Sequence, residues 1–241
     1  MILKDAFMKA MILAAGLGTR LKPFTDHNPK ALAPVNGKPV LQRNIEFLKG
    51  HGIGEVIVNV HHFADQVVEA IEKNHGWGSN ITISNERDEV LETGGGILKA
   101  SWFLEDSDPF VVMNADILTD LDLGAMIATH RHNKPMGTLA VTTRSSSRAL
   151  LFNPNNELCG WSNEKTGETK GKPGHPFAFS GIQVLNPAIF NHIRFTGKFS
   201  MIDVYLDLCS EHRFMAFDHS QSLFMDIGSP EKLALAEKVF P

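Results

Sequence analysis

The chain has 241 residues, 43% hydrophobic and 21% charged, with a formal net charge of -4. That is enough apolar material for a sizeable core, and a charged fraction that argues against disorder. The absence of a Lys/Arg cluster excludes general nucleic-acid binding, and no apolar run approaches the ~20 residues needed to cross a bilayer. Residues 1–7, MILKDAF, carry an acidic residue and make a poor signal peptide, and Met8 competes with Met1 as the natural start. Cys159 and Cys209 lie far apart without His or Cys at metal-ligand spacing, which suits reduced thiols in a cytoplasmic protein.

In chain order, 9–13 is apolar enough for a central strand covered on both faces. A glycine-punctuated loop follows, with Gly16, Gly18, Thr19 and Arg20, and then a turn carrying Asn28-Pro29-Lys30. Leu41, Ile45 and Leu48 mark a helix begun at Pro39 and ended by Gly50 or Gly52. The spacing then predicts a strand over 55–60, a helix from Phe63 to Ile71, a strand over 81–84, and a helix opened by Gly94-Gly95-Gly96. A fourth strand over 110–113 ends in Asn114-Ala115-Asp116, and 121–132 is helical. This alternation implies βαβ units, a mostly parallel sheet and right-handed crossovers.

From about residue 137 the rhythm changes to strands joined by tight turns, over 138–143, 149–152 and 157–161. Residues 162–176 are polar and glycine-rich and read as a mobile loop; 177–185 is a strand, and 187 and 202–209 start or form short helices. A late pair of strands, 214–217 and 222–225, precedes a turn at Asp226 and a last helix over 231–239. With no internal repeat and no linker, 1–241 reads as one α/β domain, with 8–136 its alternating strand–helix part and 137–241 a β-rich, substrate-side part. No hexapeptide repeat follows, so a β-helix acyltransferase domain is not expected.

Three common meanings of a glycine-rich loop after a strand can be separated. A dinucleotide fingerprint needs a third glycine where this chain has Leu21. A Walker A loop needs Gly-Lys-Ser/Thr, a string the chain lacks. What remains is Gly-x-Gly-Thr-Arg with Pro-Lys beyond it: amides near phosphates, Arg20 forking two oxygens and Lys30 acting as a point charge. The plainer alternative is an ordinary βα turn with surface basic residues. Asp116 follows a strand whose carboxyl end is where such sheets bind ligands, although an aspartate there also serves as a helix N-cap.

The string LAAGLGTRLKPFTDHNPKALAPV over 13–35 resembles the signature of NDP-sugar pyrophosphorylases, the nucleotidyltransferases that make sugar nucleotides. The likeness runs from Met8 to the last helix. The short chain and Leu91-Glu92-Thr93-Gly94-Gly95-Gly96-Ile97 look most like bacterial N-acetylmuramic acid 1-phosphate uridylyltransferases, with mannose-1-phosphate guanylyltransferase-like proteins close behind. The resemblance implies a Rossmann-like, mixed, mostly parallel sheet flanked by helices, and transfer of a nucleotidyl group from an NTP to a sugar 1-phosphate. It implies catalytic roles for Arg20 and Lys30, and nucleotide contacts from Ala14, Ala15, Gly16, Gly18, Thr19, Arg20, Thr93, Gly94 and Gly95. Asn114, Ser180 and Gly181 fall at sugar-phosphate positions, and Asp116 and Asp226 at positions that hold Mg²⁺.

Two departures stand out: Ala115 replaces a glycine before the aspartate, and Thr166 replaces the proline of a Glu-Lys-Pro motif at Glu164-Lys165. His61-His62 is better read as a strand-to-helix turn than as a ligand pair, because adjacent strand residues face opposite ways. Arg148 is a further candidate for a phosphate. The expected partners are an NTP and a sugar 1-phosphate, with no nucleic acid and no membrane, in a monomer or small homo-oligomer. UTP with N-acetylmuramic acid 1-phosphate leads. A GTP-dependent mannose- or heptose-1-phosphate guanylyltransferase, a phosphocholine-type cytidylyltransferase and a non-catalytic sugar-nucleotide sensor are the alternatives.

Overall fold

A computed structural model describes residues 8–241, so the reading of the first seven residues lies outside it. β1 (Lys9–Leu13) leads through the glycine loop and a two-rung hairpin, β2 (Pro34–Val35) with β3 (Lys38–Pro39), into α1 (Val40–Gly50). β4 (Glu55–Val60), α2 (Ala64–Lys73), β5 (Asn80–Asn85), α3 (Glu92–Lys99) and α4 (Ser101–Leu104) follow, then β6 (Phe110–Asn114), β7 (Ile117–Thr119) and α5 (Leu123–Asn133). The second half contains β8 (Gly137–Thr142), β9 (Arg148–Phe152), β10 (Leu158–Asn163), β11 (Glu168–Gly171), the long β12 (His175–Leu185), α6 (Met201–Leu208), β13 (Phe214–Asp218), β14 (Phe224–Asp226) and α7 (Pro230–Val239).

Ten of these strands form one sheet, in the order β11-β10-β9-β12-β6-β1-β4-β5, with β8 beside β12 and β13 beside β8. β1 lies parallel to both β4 and β6, and β4 parallel to β5, so their carboxyl ends share one rim. Alternation along each strand feeds two cores. Ala10, Ile12, Val56, Val58, Val111 and Met113 pack on one face with α1, α2 and α5, while Met11, Ile57, Phe110 and Val112 pack on the other with α3, α4 and α6. The 137 boundary does not interrupt the sheet. β12 pairs antiparallel with β6 through Ile182–Leu185 and with β9 through His175–Phe177, joining the two parts in one surface.

Two expectations need correction. Residues 162–176 are not a loop: β10 and β11 form a hairpin, in register from Gly160↔Gly171 to Asn163↔Glu168. All four β11 residues are exposed, so the strand has no buried face and leaves no alternation to read. The late strands do not pair with each other. β13 runs parallel to β8, and β14 lies antiparallel to β7, because apolar alternation identifies a strand but not its neighbour. The glycines do stand at a helix opening: α3 starts at Glu92, and Gly94 and Gly95 lie in its first turn.

Candidate functional site

The rim at the carboxyl ends of β1 and β6 carries two cavities, of about 550 and about 350 Å³. The larger is walled by residues 14–20 after β1, with Lys30, Asn59, Thr93 and Asp116 around it. The smaller is walled by side chains of the β-rich part, among them Arg144, Arg148, Trp161, Phe179, Ser180 and Asp226. Arg20, Asn114 and Asp116 line both, so the two spaces meet at those three residues.

The loop is held from beneath. Asn59, buried on β4, accepts a hydrogen bond from the Ala14 amide at 2.6 Å, and its own amide donates to the buried Glu86 carboxylate at 2.8 Å. Gly18 has a left-handed backbone (φ +64), and a Cβ there would come within 2.9 Å of the Thr25 methyl and 3.0 Å of the Lys30 Cβ. Only glycine lets the loop close over those two side chains without strain. The Thr25 hydroxyl donates to the Gly18 carbonyl at 2.9 Å and ties the turn to the segment that carries Lys30.

Lys30 forms a partly buried ion pair with Asp116. The turn bearing Asp116 is anchored by the buried Asn44 of α1, whose amide donates to the Ala115 carbonyl at 3.0 Å. Ala115 is buried and is not among the residues with left-handed φ, so the glycine it replaces is not needed for conformation. Asp226, 110 positions further along the chain, arrives at the same place because β14 pairs with β7, setting Asp226 opposite Ile117. The Ile227 amide then donates to the Asp116 carbonyl at 2.7 Å. Asp226 is paired with Lys232 of α7. Burial works to raise the Asp226 carboxyl, but the Lys232 hydrogen bond and the charges of Lys232, Arg144 and Lys30 outweigh it and hold the group below its ordinary 3.8. The Arg20 guanidinium carbon lies so close to Gly228 that a Cβ there would be 3.7 Å from it. Two acidic groups and at least two basic ones thus meet where the cavities join.

On the β-rich side, β12 breaks register with β8 between Phe179 and Gln183, and the bulge carries Ser180 and Gly181. Gly181 has φ +72, and a Cβ there would sit 2.5 Å from the Asn114 amide nitrogen. Both properties require glycine, so the bulge accounts for the strand glycine while keeping Ser180 on the cavity wall. Arg144 donates to the Phe179 carbonyl at 2.8 Å and lies over the Phe224 ring at 5.1 Å. Burial lowers its pKa and Asp226 counters that, and a guanidinium stays charged throughout.

Some expected residues sit elsewhere. Gly94 and Gly95 do not line either cavity, and both amides donate to the Phe199 carbonyl, at 2.9 and 3.3 Å. A Cβ on Gly94 would overlap the Phe199 ring, and one on Gly95 would overlap the Gly197 carbonyl oxygen. These glycines let α3 press against 197–199, while Thr93 beside them lines the cavity. Glu164 and Lys165 lie in the exposed hairpin turn between β10 and β11 and touch neither cavity. His61 hydrogen-bonds the Glu86 carbonyl at 2.6 Å and His62 packs at a tilt against Phe63, and no cluster of three metal-ligating side chains occurs among the described residues. Sequence reading missed Asn59, Arg144 and Lys232. Arg144 had the same signal as Arg148, a basic residue in a polar turn; Lys232 had none, since only folding brings it to Asp226. No helix among the described residues is long and apolar enough to cross a membrane.

The sequence profile of the Nucleotidyl transferase family matches residues 9–239. The chain is 31% identical to the N-acetylmuramate alpha-1-phosphate uridylyltransferase of Neisseria meningitidis, over 95% of this chain and 97% of that one. It is 28% identical to the mannose-1-phosphate guanylyltransferase catalytic subunit beta of Xenopus tropicalis, over 93% of this chain but only 62% of the longer relative. Among solved structures, HddC from Yersinia pseudotuberculosis complexed with GMP-PN superposes with a TM-score of 0.78 at 27% identity, over 97% of this chain and all of that one. The mixed, mostly parallel sheet flanked by helices is therefore the fold of these nucleotidyltransferases, and the chain belongs to the Nucleotidyl transferase family.

Proposed function

We propose that the protein transfers a nucleotidyl group from an NTP to a sugar 1-phosphate, releasing pyrophosphate. The observation that carries this reading is the junction of the two cavities at Arg20, Asn114 and Asp116. A nucleotide in the larger space and an anionic acceptor in the smaller would have their phosphates face each other there. The acceptor oxygen forms a bond to the α-phosphorus while the bond to the pyrophosphate oxygen breaks in line. That oxygen is already an anion, so no general base is needed.

The protein's task is to bring two anions together and offset the charge that builds between them. Arg20 and Lys30 do so from the loop side, Arg144 and Arg148 from the acceptor side. Asp116 and Asp226 fit a magnesium site, because both are hard oxygen donors beside the phosphate space, one on the turn before β7 and one on β14, which pairs with β7, and Asp226 is kept ionised. Bound there, Mg²⁺ would supply charge neutralisation on the triphosphate. Each carboxylate is also paired with a lysine, Asp116 with Lys30 and Asp226 with Lys232.

For the substrates, the match along nearly the whole of the uridylyltransferase supports UTP with N-acetylmuramic acid 1-phosphate or a similar hexose 1-phosphate. GTP with a mannose-type 1-phosphate is the second reading, supported by the guanylyltransferase relative and by the GMP-PN complex. A phosphocholine acceptor is disfavoured, because two of the three aromatic rings at the smaller cavity already carry the protein's own cations, Lys170 over Trp161 at 5.6 Å and Arg144 over Phe224 at 5.1 Å, which leaves Phe179 alone where a quaternary ammonium calls for a cage. Pyrophosphate release measured with UTP, GTP, CTP and dTTP against a panel of sugar 1-phosphates tests the proposal. One productive pair is expected, and no product from any pair would refute it.

A further inference from the structure

One buried titratable group lies beside the smaller cavity and has no part in the charge chemistry above. His219 follows β13 and is 4% exposed, with its amide donating to the Val141 carbonyl of β8 at 3.0 Å. Its Nε2 is 2.7 Å from the hydroxyl of Ser180, itself 2% exposed and set in the β12 bulge on the cavity wall. Its Nδ1 is buried and has no hydrogen-bond partner. The edge of the ring meets Phe224 at 5.7 Å between centroids.

The two neutral tautomers place the hydrogens differently. With the proton on Nδ1, a buried N–H is left without an acceptor, and the Ser180 hydroxyl must spend its only hydrogen on Nε2. With the proton on Nε2, only a lone pair is left bare, and Ser180 accepts from the ring. Orphaned buried N–H groups are the rarer and costlier defect. The second arrangement is therefore preferred, and it leaves the Ser180 O–H free to donate into the cavity.

We propose that His219 is a positioning residue that holds the Ser180 hydroxyl as a hydrogen-bond donor to an uncharged oxygen of the acceptor sugar, a ring hydroxyl or an N-acyl carbonyl. This rests on the smaller cavity being the acceptor site. The ring must be neutral, since a second proton on Nδ1 would have no acceptor. Burial favours that state, and the charged groups that act on the ring partly cancel: Asp218 and Asp120 pull it toward the cation while Arg144 opposes them.

The test has a spectroscopic and a kinetic arm. Long-range ¹H–¹⁵N correlation on histidine-labelled protein at pH 7.5, with the His219 signal assigned by its loss in His219→Gln, should show a neutral ring protonated at Nε2. A proton on Nδ1, or a cationic ring, overturns the proposal. For kinetics, UTP and GTP are assayed with N-acetylmuramic acid 1-phosphate, mannose 1-phosphate and glucose 1-phosphate, and the best pair is taken forward. His219→Leu should raise the acceptor KM about tenfold while the NTP KM stays within about twofold. Ser180→Ala should match it, the double variant should add little, and His219→Gln, whose amide can donate from near the Nε2 position, should restore the acceptor KM.

An unchanged acceptor KM in folded His219→Leu, or an equal rise in both KM values, overturns the assignment. Should the leucine variant not fold, Ser180→Ala decides by the same criterion. Wild-type protein that turns over none of these pairs, nor any pair of the four NTPs with the wider panel of sugar 1-phosphates, refutes the transferase reading, while the tautomer measurement still stands or falls by itself.

Discussion

Around the larger cavity much of the wall is one consecutive loop, residues 14–20, in which Ala14, Ala15, Gly16 and Gly18 are small and leave the backbone open to a ligand, with Lys30 close behind in sequence. Around the smaller cavity the wall is assembled from residues of several elements, β9, β10, β12, β14 and the turn before β9, most of them with large side chains. The first arrangement suits a ligand that is always the same, a triphosphate met by amides and fixed charges. The second suits a part that differs between relatives, because a side chain on a strand can be exchanged without moving the backbone. If that division is right, substitutions in the two halves should separate in kinetics: losses of turnover from the first, losses of acceptor affinity from the second.

The largest effect is expected where the halves meet. Lys30→Ala and Asp116→Asn should each lower kcat by about 10²–10³-fold, the scale of removing one preorganised charge from a phosphoryl site. Circular dichroism should show the fold intact, since the pair sits at the rim rather than in either core. Wild-type-like turnover from either purified variant would remove the junction from the mechanism. Next in size, Arg144→Ala should raise the acceptor KM by about ten- to a hundredfold, the range for losing a charged hydrogen-bonding partner, and leave the NTP KM near its original value. Equal effects on both substrates would mean that the two cavities are not separate subsites.

How much could be read beforehand follows the same division. The glycine loop, Asp116 and Asp226 were legible because each sits in a short string at a strand end, and strand ends can be located from apolar runs alone; Lys30 was legible from the Asn28-Pro29-Lys30 turn that follows the loop. The parallel half of the sheet was legible because β1, β4 and β6 are buried on both faces and leave nearly unbroken apolar runs. β11 was not, because none of its residues touches a core. Arg144, Lys232 and His219 belong to the site only through pairings between distant strands, β8 with β13 and β7 with β14, and no local pattern encodes those. The glycines of α3 show the converse error: the motif was visible, but its packing against 197–199 was not.

That packing can be tested against the motif reading. Alanine is favoured over glycine inside a helix by about 1 kcal/mol, so Gly95→Ala would stabilise α3 if nothing stood in its way. Here a Cβ would meet the Gly197 main-chain oxygen, which cannot swing aside as a side chain can. Gly95→Ala should therefore destabilise the protein by about 1–3 kcal/mol in urea unfolding, the usual cost of overpacking. If stability instead rises and only the NTP KM suffers, the glycine serves the ligand and not the fold.

The smallest effect concerns the seam where α5 hands the chain to β8, between the two halves. His130, 3% exposed, hydrogen-bonds the Thr138 hydroxyl at 3.0 Å, and burial, only partly opposed by Asp108 and reinforced by Arg131, lowers its pKa to about 4. The native state thus holds this ring neutral at pH values where the unfolded chain, titrating near 6.5, takes up a proton. Above pH 6.5 the group contributes no slope. Below it stability falls, by about 1.4 kcal/mol for each unit, until the folded ring protonates near pH 4. His219, also lowered, slopes the same way, so the informative quantity is the difference between wild type and His130→Gln. That difference should shrink as the pH is lowered from 7 to 5, because the variant has no such proton to take up on unfolding. Parallel stability curves for the two proteins would mean that His130 is charged in the folded seam, and that the junction between the halves is wetter than its burial implies.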